Sequence, residues 1–520
     1  MNQRAPAPRG LTKQAIGGMF WTFSGTGVQV TVQLIAIMAL ARLLTPAEFG
    51  LMAAATVIIG CSQIVSQVGV GPAIIQRRNL EPVHIRVGVT LSAALGLLLG
   101  AIVWFGAPAI AAFYRMPELE PVLRAITVLF PLDGLNTVAK AILTRELRFR
   151  LYIALDVLAY VLGYAVVGVV LAWLGFGVWA LVWANIMQLV VRTVAMYIGT
   201  RHSLVPSFNL RAGRQLLSFG FGHSMAQIGT LLSQQGDNFV VGRWLGPAAL
   251  GVYGRAYNLM VMPASAFGRI INRVLFPVMS QVQDERDRLA NAYERALATV
   301  AFISLPLSAF LWVVAPEFIG LVLGPAWGEV VTPFRLFSIS LLFRMSSKIS
   351  DACTKAAGAV YSRAVLQFAY AAMVVVGAII GQQWGVGGVA VAVSIAMGIN
   401  WQNMAWLGRR ETGLSWWRFT VAQMPAAMLA VATAGMAAVA AHLLRGVHLP
   451  GVLVLSGAAL AGVATAVAAA RVRPALFLGP HGSWMVGQAR GMILGRGRGR
   501  RNGRRASGEE LVAAGDMAGE

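Results

Sequence analysis

Apolar runs follow one another along the chain with short polar breaks, and the breaks carry most of the charge. Most runs are roughly 20 to 28 residues long, enough for a helix to cross the ~30 Å hydrocarbon core of a bilayer. About fourteen can be drawn. They lie near Gly17–Leu43, Leu51–Ile75, Val87–Phe113, Val122–Leu143, Leu151–Leu174, Phe176–Ile198, Leu216–Leu245, Leu250–Met279, Ala292–Leu323, Val330–Gly358, Tyr361–Gln382, Gly385–Leu407, Trp417–Leu443 and Leu449–Ala470. The pattern predicts an all-α integral membrane protein.

Two of the breaks are copies of each other. Ala41-Arg-Leu-Leu-Thr-Pro-Ala-Glu-Phe-Gly50 returns as Gly242-Arg-Trp-Leu-Gly-Pro-Ala-Ala-Leu-Gly251, so Arg42 matches Arg243 and Pro46 matches Pro247 at a constant shift of 201 residues. A shift of that length spans several membrane helices with their loops. Duplication of a whole set of spans points to a transporter.

Composition supports the bilayer as solvent: 57% of residues are hydrophobic and 12% charged, with a mean hydropathy of +0.68. No water-soluble fold hides that much apolar surface. The first run follows Arg4, Arg9 and Lys13 but has no small-residue cleavage site and is too long for a signal-peptide core, so it is expected to be a retained span. Cys61 and Cys353 both fall in predicted spans and read as small packing residues.

Basic residues gather in alternate loops: Arg77, Arg78 and Arg86; Arg145, Arg148 and Arg150; Arg201, Arg211 and Arg214; Arg286 and Arg288; Arg363; Arg409, Arg410 and Arg418. The positive-inside rule makes those loops cytoplasmic. An even number of spans then leaves both termini in the cytoplasm. The net charge of +22 includes the tail Arg496-Gly-Arg-Gly-Arg-Arg-Asn-Gly-Arg-Arg505. Placed after the last span, that tail is expected to lie against anionic lipid headgroups, at about 1 kcal/mol per basic residue. No aromatic interleaving or RNA-binding module accompanies it, so no nucleic-acid partner is expected.

Loops are too short for a soluble catalytic domain, and no Gly-x-x-x-x-Gly-Lys-[Ser/Thr] phosphate loop occurs. The six histidines are scattered singly, without metal-ligand spacing. No enzymatic activity, cofactor or metal is expected. Gly96 and Gly100, and again Gly242 and Gly246, form small-xxx-small pairs that suit close helix packing within one chain.

Ionisable residues inside spans are costly and mark a pathway or a pair. Arg255, Arg269 and Arg273 share one face of the eighth span, with Pro263 between them. Arg344, Lys348, Asp351 and Lys355 share a face of the tenth. The arginines and lysines either line a lumen or are held by headgroups and internal pairs, such as Lys348 or Lys355 with Asp351. Three acids stand out: Asp133, Asp156 and Asp237, the last in Gln234-Gln-Gly-Asp-Asn238. Asp237 either binds a proton or sodium ion or offsets the nearby Arg243.

Phe20-Trp21, Ala41–Gly50, Arg145-Glu-Leu-Arg-Phe149, Gly236-Asp-Asn-Phe-Val-Val-Gly-Arg-Trp-Leu-Gly246 and Leu250-Gly-Val-Tyr253 carry a resemblance. From about Gly17 to Leu407 the chain resembles the Wzx-type oligosaccharide flippases of the multidrug/oligosaccharidyl-lipid/polysaccharide exporter superfamily, particularly the branch with the colanic-acid exporter. The resemblance implies two bundles of about six helices related by a pseudo-two-fold axis, a central cavity, alternating access, and two further helices. It implies an inner-membrane protein that turns undecaprenyl-diphosphate-linked oligosaccharide from the cytoplasmic to the periplasmic leaflet, working beside polymerase and chain-length or export proteins.

The expected organisation is therefore a cytoplasmic segment (1–16), an N-terminal bundle (17–200), a linker (201–215), a C-terminal bundle (216–407), two additional helices (408–470) and a basic tail (471–520). Arg255, Arg269, Arg273, Arg344 and Lys348 would meet the diphosphate, and Asp237, Asp133 and Asp156 would serve any coupling ion. A drug/cation antiporter of the same superfamily is expected to place carboxylates in the first span, where this chain has none. A peptidoglycan-precursor flippase, with its own sugar diphosphate, is the nearer alternative.

Overall fold

Hydrophobic runs of this length satisfy every backbone donor and acceptor internally only as helices or closed barrels. The chain takes the helical solution, with no strand among the described residues. The computed structural model describes residues 27–67, 70–77, 79–271, 275–483 and 485–487; the side chains of 61–67, 216–228, 266, 269, 270 and 360 lie outside that description. Thus the side chains of Cys61 and Arg269, all of Arg273, and the basic tail from 488 onward lie outside the described residues.

The elements in order are α1 (Gly27–Leu43), α2 (Pro46–Gln67), α3 (Val70–Gln76), α4 (Pro82–Tyr114), α5 (Leu119–Ile126), α6 (Leu129–Arg145), α7 (Phe149–Trp173), α8 (Val178–Thr200) and α9 (Leu210–Ile270). There follow α10 (Phe276–Gln281), α11 (Arg286–Val313), α12 (Ala315–Val322), α13 (Val331–Ile339), α14 (Leu341–Ala356), α15 (Val360–Gly381) and α16 (Gly385–Thr412). The last are α17 (Trp416–Val421), α18 (Met424–Gly446), α19 (Gly451–Val472) and α20 (Pro474–Phe477). Among the described residues, eight helical stretches are long and apolar enough to cross a membrane.

The two apolar runs on either side of the second repeat form one helical stretch, α9, interrupted at Gly246, whose φ of 86° and ψ of −179° lie outside the helix. Glycine takes that conformation without a Cβ clash, and Pro247 then starts the next turn with its fixed φ. The first repeat turns differently. The Glu48 carboxylate accepts from the Thr45 backbone N–H at 2.6 Å and the Thr45 hydroxyl accepts from the Glu48 N–H at 3.4 Å, a reciprocal cap for α2.

Helices bury small and branched residues inward and leave large apolar ones outward. On α4, Gly96, Gly100, Val103 and Ala107 are buried while Leu97, Leu98, Ile102 and Phe105 are exposed. A Cβ on Gly96 would lie 2.5 Å from the Phe130 carbonyl oxygen, so that small-residue face packs within the chain against α6. Trp173, Trp384 and Trp417 are exposed at helix ends, where indoles favour the headgroup layer.

The described chain packs as two compact units. Among the described residues the first comprises 27–270, Ala315–Arg344 and Ala359–Met404. Val70, Ile74, Val89, Val138 and Ile142 form one of its cores, and Arg145 donates to the carbonyls of Ile74 and Arg77, capping the end of α3. The second comprises, again among the described residues, Ile271–Val314, Met345–Gly358 and 405–487. There Val314, Ala437, Ala441, Val454 and Ala458 make the core that joins α11, α18 and α19. Glu294 accepts from Arg418 and lies 3.1 Å from His481, just beyond α20.

Candidate transport cavity

The repeated motif brings its two copies face to face within the first unit. A Cβ on Gly50 would fall 1.7 Å from the carbonyl oxygen of Pro247, and a Cβ on Gly251 would fall 1.8 Å from that of Pro46. Each glycine thus packs on the proline that its own partner glycine follows in the other copy. The contact is reciprocal, and only glycine permits it.

Side chains of the motif extend this crossing. Arg42 donates to the Leu321 carbonyl at 3.0 Å, near the end of α12. Trp327, fully buried, donates its indole N–H to the Ala41 carbonyl at 2.7 Å and meets Phe49 edge-on at 5.3 Å. In the other copy Arg243 lies 5.3 Å from the Phe113 ring and 5.6 Å from that of Trp244. The first copy therefore holds the segment after α11, and the second holds the end of α4.

Beside this contact lies a cavity of about 300 Å³ lined from both repeats: Gln33 and Phe49 from α1 and α2, Tyr160 and Tyr164 from α7, Gln188 from α8, and Gln235, Asn238, Arg255 and Asn258 from α9. The α7 wall runs as a π-helix over Val161–Gly168. Such turns present side chains out of helical register and recur at functional sites. Here the widened turn stacks Tyr160 on Tyr164 at 4.9 Å, and Asn185 donates to the Tyr164 hydroxyl.

Arg255 is the cation of this cavity. Its guanidinium lies 4.3 Å from the Phe49 ring centre, and it makes no hydrogen bond or ion pair among the described residues. An arginine held by an aromatic face, with its donors unspent in a cavity, suits an incoming polyanion.

The other residues singled out from sequence are placed as follows. Asp237 is buried; it accepts from the Tyr253 hydroxyl at 2.6 Å and from the Asn238 backbone N–H at 2.8 Å, while Arg243 rests on aromatic rings. Arg344 donates to the Tyr257 hydroxyl at 2.9 Å and lies outside the cavity lining. Tyr253 and Tyr257 both pack edge-on against Phe337, so the Asp237 and Arg344 sites share one aromatic wall. Lys348 belongs to the second unit and Arg344 to the first. Lys355 pairs with Asp351 at 2.6 Å, the internal pair anticipated above. Arg269 and Arg273 lie outside the described side chains.

Asp133 and Asp156, far apart in sequence, meet at one residue that sequence reasoning passed over. Arg192 on α8 reaches Asp133 at 3.8 Å and Asp156 at 3.4 Å, and Gln29 of α1 donates to the other oxygen of Asp156 at 2.9 Å. A lone arginine in an apolar run was the available signal. Among the described residues no group of three or more histidine, cysteine, aspartate or glutamate side chains is placed to hold a metal ion.

Comparison with known proteins follows the same lines. The chain is 26% identical over 336 residues to the lipopolysaccharide biosynthesis protein WzxC of Escherichia coli K12, covering 64% of this chain and 68% of that protein. It is 28% identical over 311 residues to the succinoglycan biosynthesis transport protein ExoT of Rhizobium meliloti, covering 59% and 62%. The teichuronic acid biosynthesis protein TuaB of Bacillus subtilis matches at 25% over 337 residues, covering 64% and 70%. Among solved structures, the lipid II flippase MurJ in an inward closed conformation superposes with a TM-score of 0.70 at 13% identity, covering 86% of this chain and 97% of that one. An inward-facing multidrug resistance MATE family transporter gives 0.61 at 19%, covering 74% and 95%. These two share the fold, that of helical membrane transporters. The family model described as polysaccharide biosynthesis protein matches residues 39–332, more than half of the chain and inclusive of both repeats and of Arg255, and the chain belongs to that family.

Proposed function

We propose that this protein is a flippase that moves undecaprenyl-diphosphate-linked oligosaccharide from the cytoplasmic to the periplasmic leaflet for surface polysaccharide synthesis. The observation that carries the reading is Arg255, an arginine with no hydrogen-bond or ion-pair partner among the described residues, held on an aromatic ring in a cavity built from both repeats. A cation there offsets the desolvation of a diphosphate crossing a low-dielectric layer; at 4 Å and an effective dielectric of 20 the attraction is about 4 kcal/mol per charge. The tyrosine hydroxyls and side-chain amides around it suit sugar hydroxyls. At about 300 Å³ the cavity is at the low end for small-ligand sites, so a longer glycan requires it to widen.

The wider reading rests on the same repeats. Fourteen spans would form two six-helix bundles (17–200 and 216–407) joined by 201–215 and followed by two helices (408–470). The basic loops would face the cytoplasm together with both termini. Outward passage of an anion is downhill in an inside-negative potential, by about 2.3 kcal/mol per charge per 100 mV. The protein would act as a transporter rather than a catalyst and would hand its cargo to polymerase and chain-length proteins. Arg269, Arg273, Arg344 and Lys348 would serve other stages of the path.

The test is export by full-length variants at matched abundance. Arg255→Ala is expected to lower surface polysaccharide at least tenfold, and Arg255→Lys to retain part of it, because charge survives while the planar fork is lost. Normal export by Arg255→Ala at wild-type abundance would refute the assignment. Reconstituted protein that flips only the peptidoglycan precursor would move the function to that substrate.

A further inference from the structure

We propose that the segment joining the two repeats, residues 201–215, is a strap seated in the headgroup layer of the membrane, where its arginines hold anionic phospholipids and its apolar side chains enter the edge of the hydrocarbon. The proposal needs the protein to span a bilayer and is independent of the cargo and of Arg255.

No aspartate or glutamate occurs between Asp156 and Asp237, while Arg201, Arg211 and Arg214 all fall within 201–215. A connection between helix bundles is ordinarily polar, because it runs through water. This one carries Leu204, Val205, Phe208 and Leu210, which are 42%, 57%, 82% and 87% exposed. The backbone holds them there. Arg201 ends α8 in the left-handed region, φ 48°, with its N–H on the Tyr197 carbonyl at 2.7 Å, and His202 packs edge-on against the Tyr197 ring. The Ser207 N–H donates to the Thr90 hydroxyl of α4 at 3.0 Å, and the Asn209 side chain accepts from the Ala212 N–H at 3.1 Å, capping α9. Ala212 is buried against Ala73 and Val87, and Gln215 accepts from Arg77 at 2.8 Å. The segment is thus tied to α3 and α4 on both sides of Phe208 and Leu210, whose side chains are left outside the protein.

The tie to α4 sets the depth. This helix has 33 residues, about 50 Å at ~1.5 Å per residue, so about 20 Å of it lies beyond a ~30 Å hydrocarbon core. Shared between the two ends, that excess puts the boundary about 10 Å, or about seven residues, inside the helix. Arg86 is exposed at this level, and no Asp, Glu, Lys, Arg or His follows it on α4. The boundary therefore falls between Arg86 and Thr90, and the strap runs beside it. Apolar side chains at such a level meet acyl carbons while basic ones meet phosphates. The side chains of Arg86, Arg201, Arg211 and Arg214 are exposed and make no hydrogen bond or ion pair among the described residues, whereas Arg77 is spent on Gln215 and the Asn79 carbonyl. Four guanidiniums without a carboxylate suit phosphates, and an anionic lipid has net charge with which to attract them; a zwitterionic headgroup sets its own ammonium against them. An acidic protein arriving from water would meet the arginines but leave the side chains at the hydrocarbon boundary uncovered. The lipid surface satisfies both.

The test uses the full-length protein with Cys61 and Cys353 replaced and Val205→Cys carrying an environment-sensitive fluorophore, in vesicles of equal parts phosphatidylcholine and phosphatidylglycerol. Lipids with a nitroxide on the acyl chain close to the headgroup quench the fluorophore on contact. Spin-labelled phosphatidylglycerol is expected to quench about fivefold more strongly than spin-labelled phosphatidylcholine at the same mole fraction, the effect of a single basic residue near an anionic surface. Arg201→Gln, Arg211→Gln and Arg214→Gln combined should bring the two lipids to parity, and the corresponding lysine triple should restore the preference because charge survives. Phe208→Ser with Leu210→Ser should admit aqueous iodide, which the wild-type strap excludes. All the substituted side chains are exposed, so unchanged melting separates loss of lipid contact from loss of the fold. Equal quenching by the two lipids in wild type overturns the anionic-lipid assignment. A fluorophore reached by iodide and by neither lipid places the segment in water and overturns the strap as a whole, leaving this surface to a soluble partner.

Discussion

Replacing Gly251 by Ala should break the crossing of the two repeats. The added methyl would lie 1.8 Å from the Pro46 carbonyl oxygen and 3.1 Å from the Gly50 amide nitrogen, both backbone atoms that cannot rotate away. A carbon and a carbonyl oxygen settle at about 3.3 Å, so α2 and α9 must part by roughly 1.5 Å at this point. Overpacking of that kind costs about 1–3 kcal/mol, a 5- to 150-fold change in the population that keeps the contact. The cavity beside the contact should then open towards the end bearing Arg42 and Arg243. The assay is the rate at which a membrane-impermeant thiol reagent, applied from that side, labels Gln235→Cys in a background with Cys61 and Cys353 replaced. We expect at least a fivefold increase for Gly251→Ala and for Gly50→Ala, whose methyl would lie 1.7 Å from the Pro247 oxygen. Gly320→Ala, with nothing within 4 Å of its added carbon, should label at the wild-type rate. If Gly251→Ala labels and melts like wild type, the repeat contact does not hold the cavity shut.

Trp327→Phe keeps the ring against Phe49 but removes the indole N–H from the Ala41 carbonyl; thermal melting in detergent should show a loss of about 1–3 kcal/mol, and an unchanged melt would refute the role of that bond. His202, just beyond α8, lies 2.7 Å from the Thr200 hydroxyl, and burial lowers its pKa from the usual 6.5. Its folded form binds a proton less readily than the unfolded chain, so its contribution to stability is present above pH 6.5 and is lost as pH falls below it. His202→Gln should flatten the decline of the melting temperature on the acid side; an identical decline in the variant counts against the assignment.

The turns were legible in the sequence where they repeat. Pro46 and Pro247 start helices by the same fixed φ, and the matching residues around them disclosed the duplication without any view of the fold. What the repeat could not disclose was that the two copies touch, because Gly50 and Gly251 read equally well as ordinary turn residues. Helical period put Arg344 and Lys348 on one face, yet it says nothing about which neighbours that face meets, and the two fall in different units. Arg192 escaped notice because its acids come from α6 and α7, and a single arginine in an apolar run has no spacing to read. The π turn of α7 left no mark in the composition of Val161–Gly168, although it sets the stacked tyrosines of the cavity wall.

The duplication also explains how a symmetric frame acquires a one-sided chemistry. At the constant shift of 201 residues, Asp237, Tyr253, Arg255 and Tyr257 correspond to Ala36, Met52, Ala54 and Thr56. The glycines and prolines that shape the crossing are kept in both copies, while the charged and phenolic groups at these four positions stand only in the second. Arg255 lies over Phe49 of the first copy; its mirror pair is Ala54 and Leu250, both fully buried and neither charged. A second arginine at the mirror position would bring a like charge into the same low-dielectric space, and by Coulomb's law that repulsion is several kcal/mol at separations under about 5 Å. On the transport reading proposed above, the two copies can share their geometry while a single anionic cargo calls for one cation. Ala54→Arg should therefore fail to substitute for Arg255 in an Arg255→Ala background unless the new side chain reaches the same cavity. Full rescue at wild-type abundance would show instead that the position of the charge along the cavity, and not the copy that carries it, is what export requires.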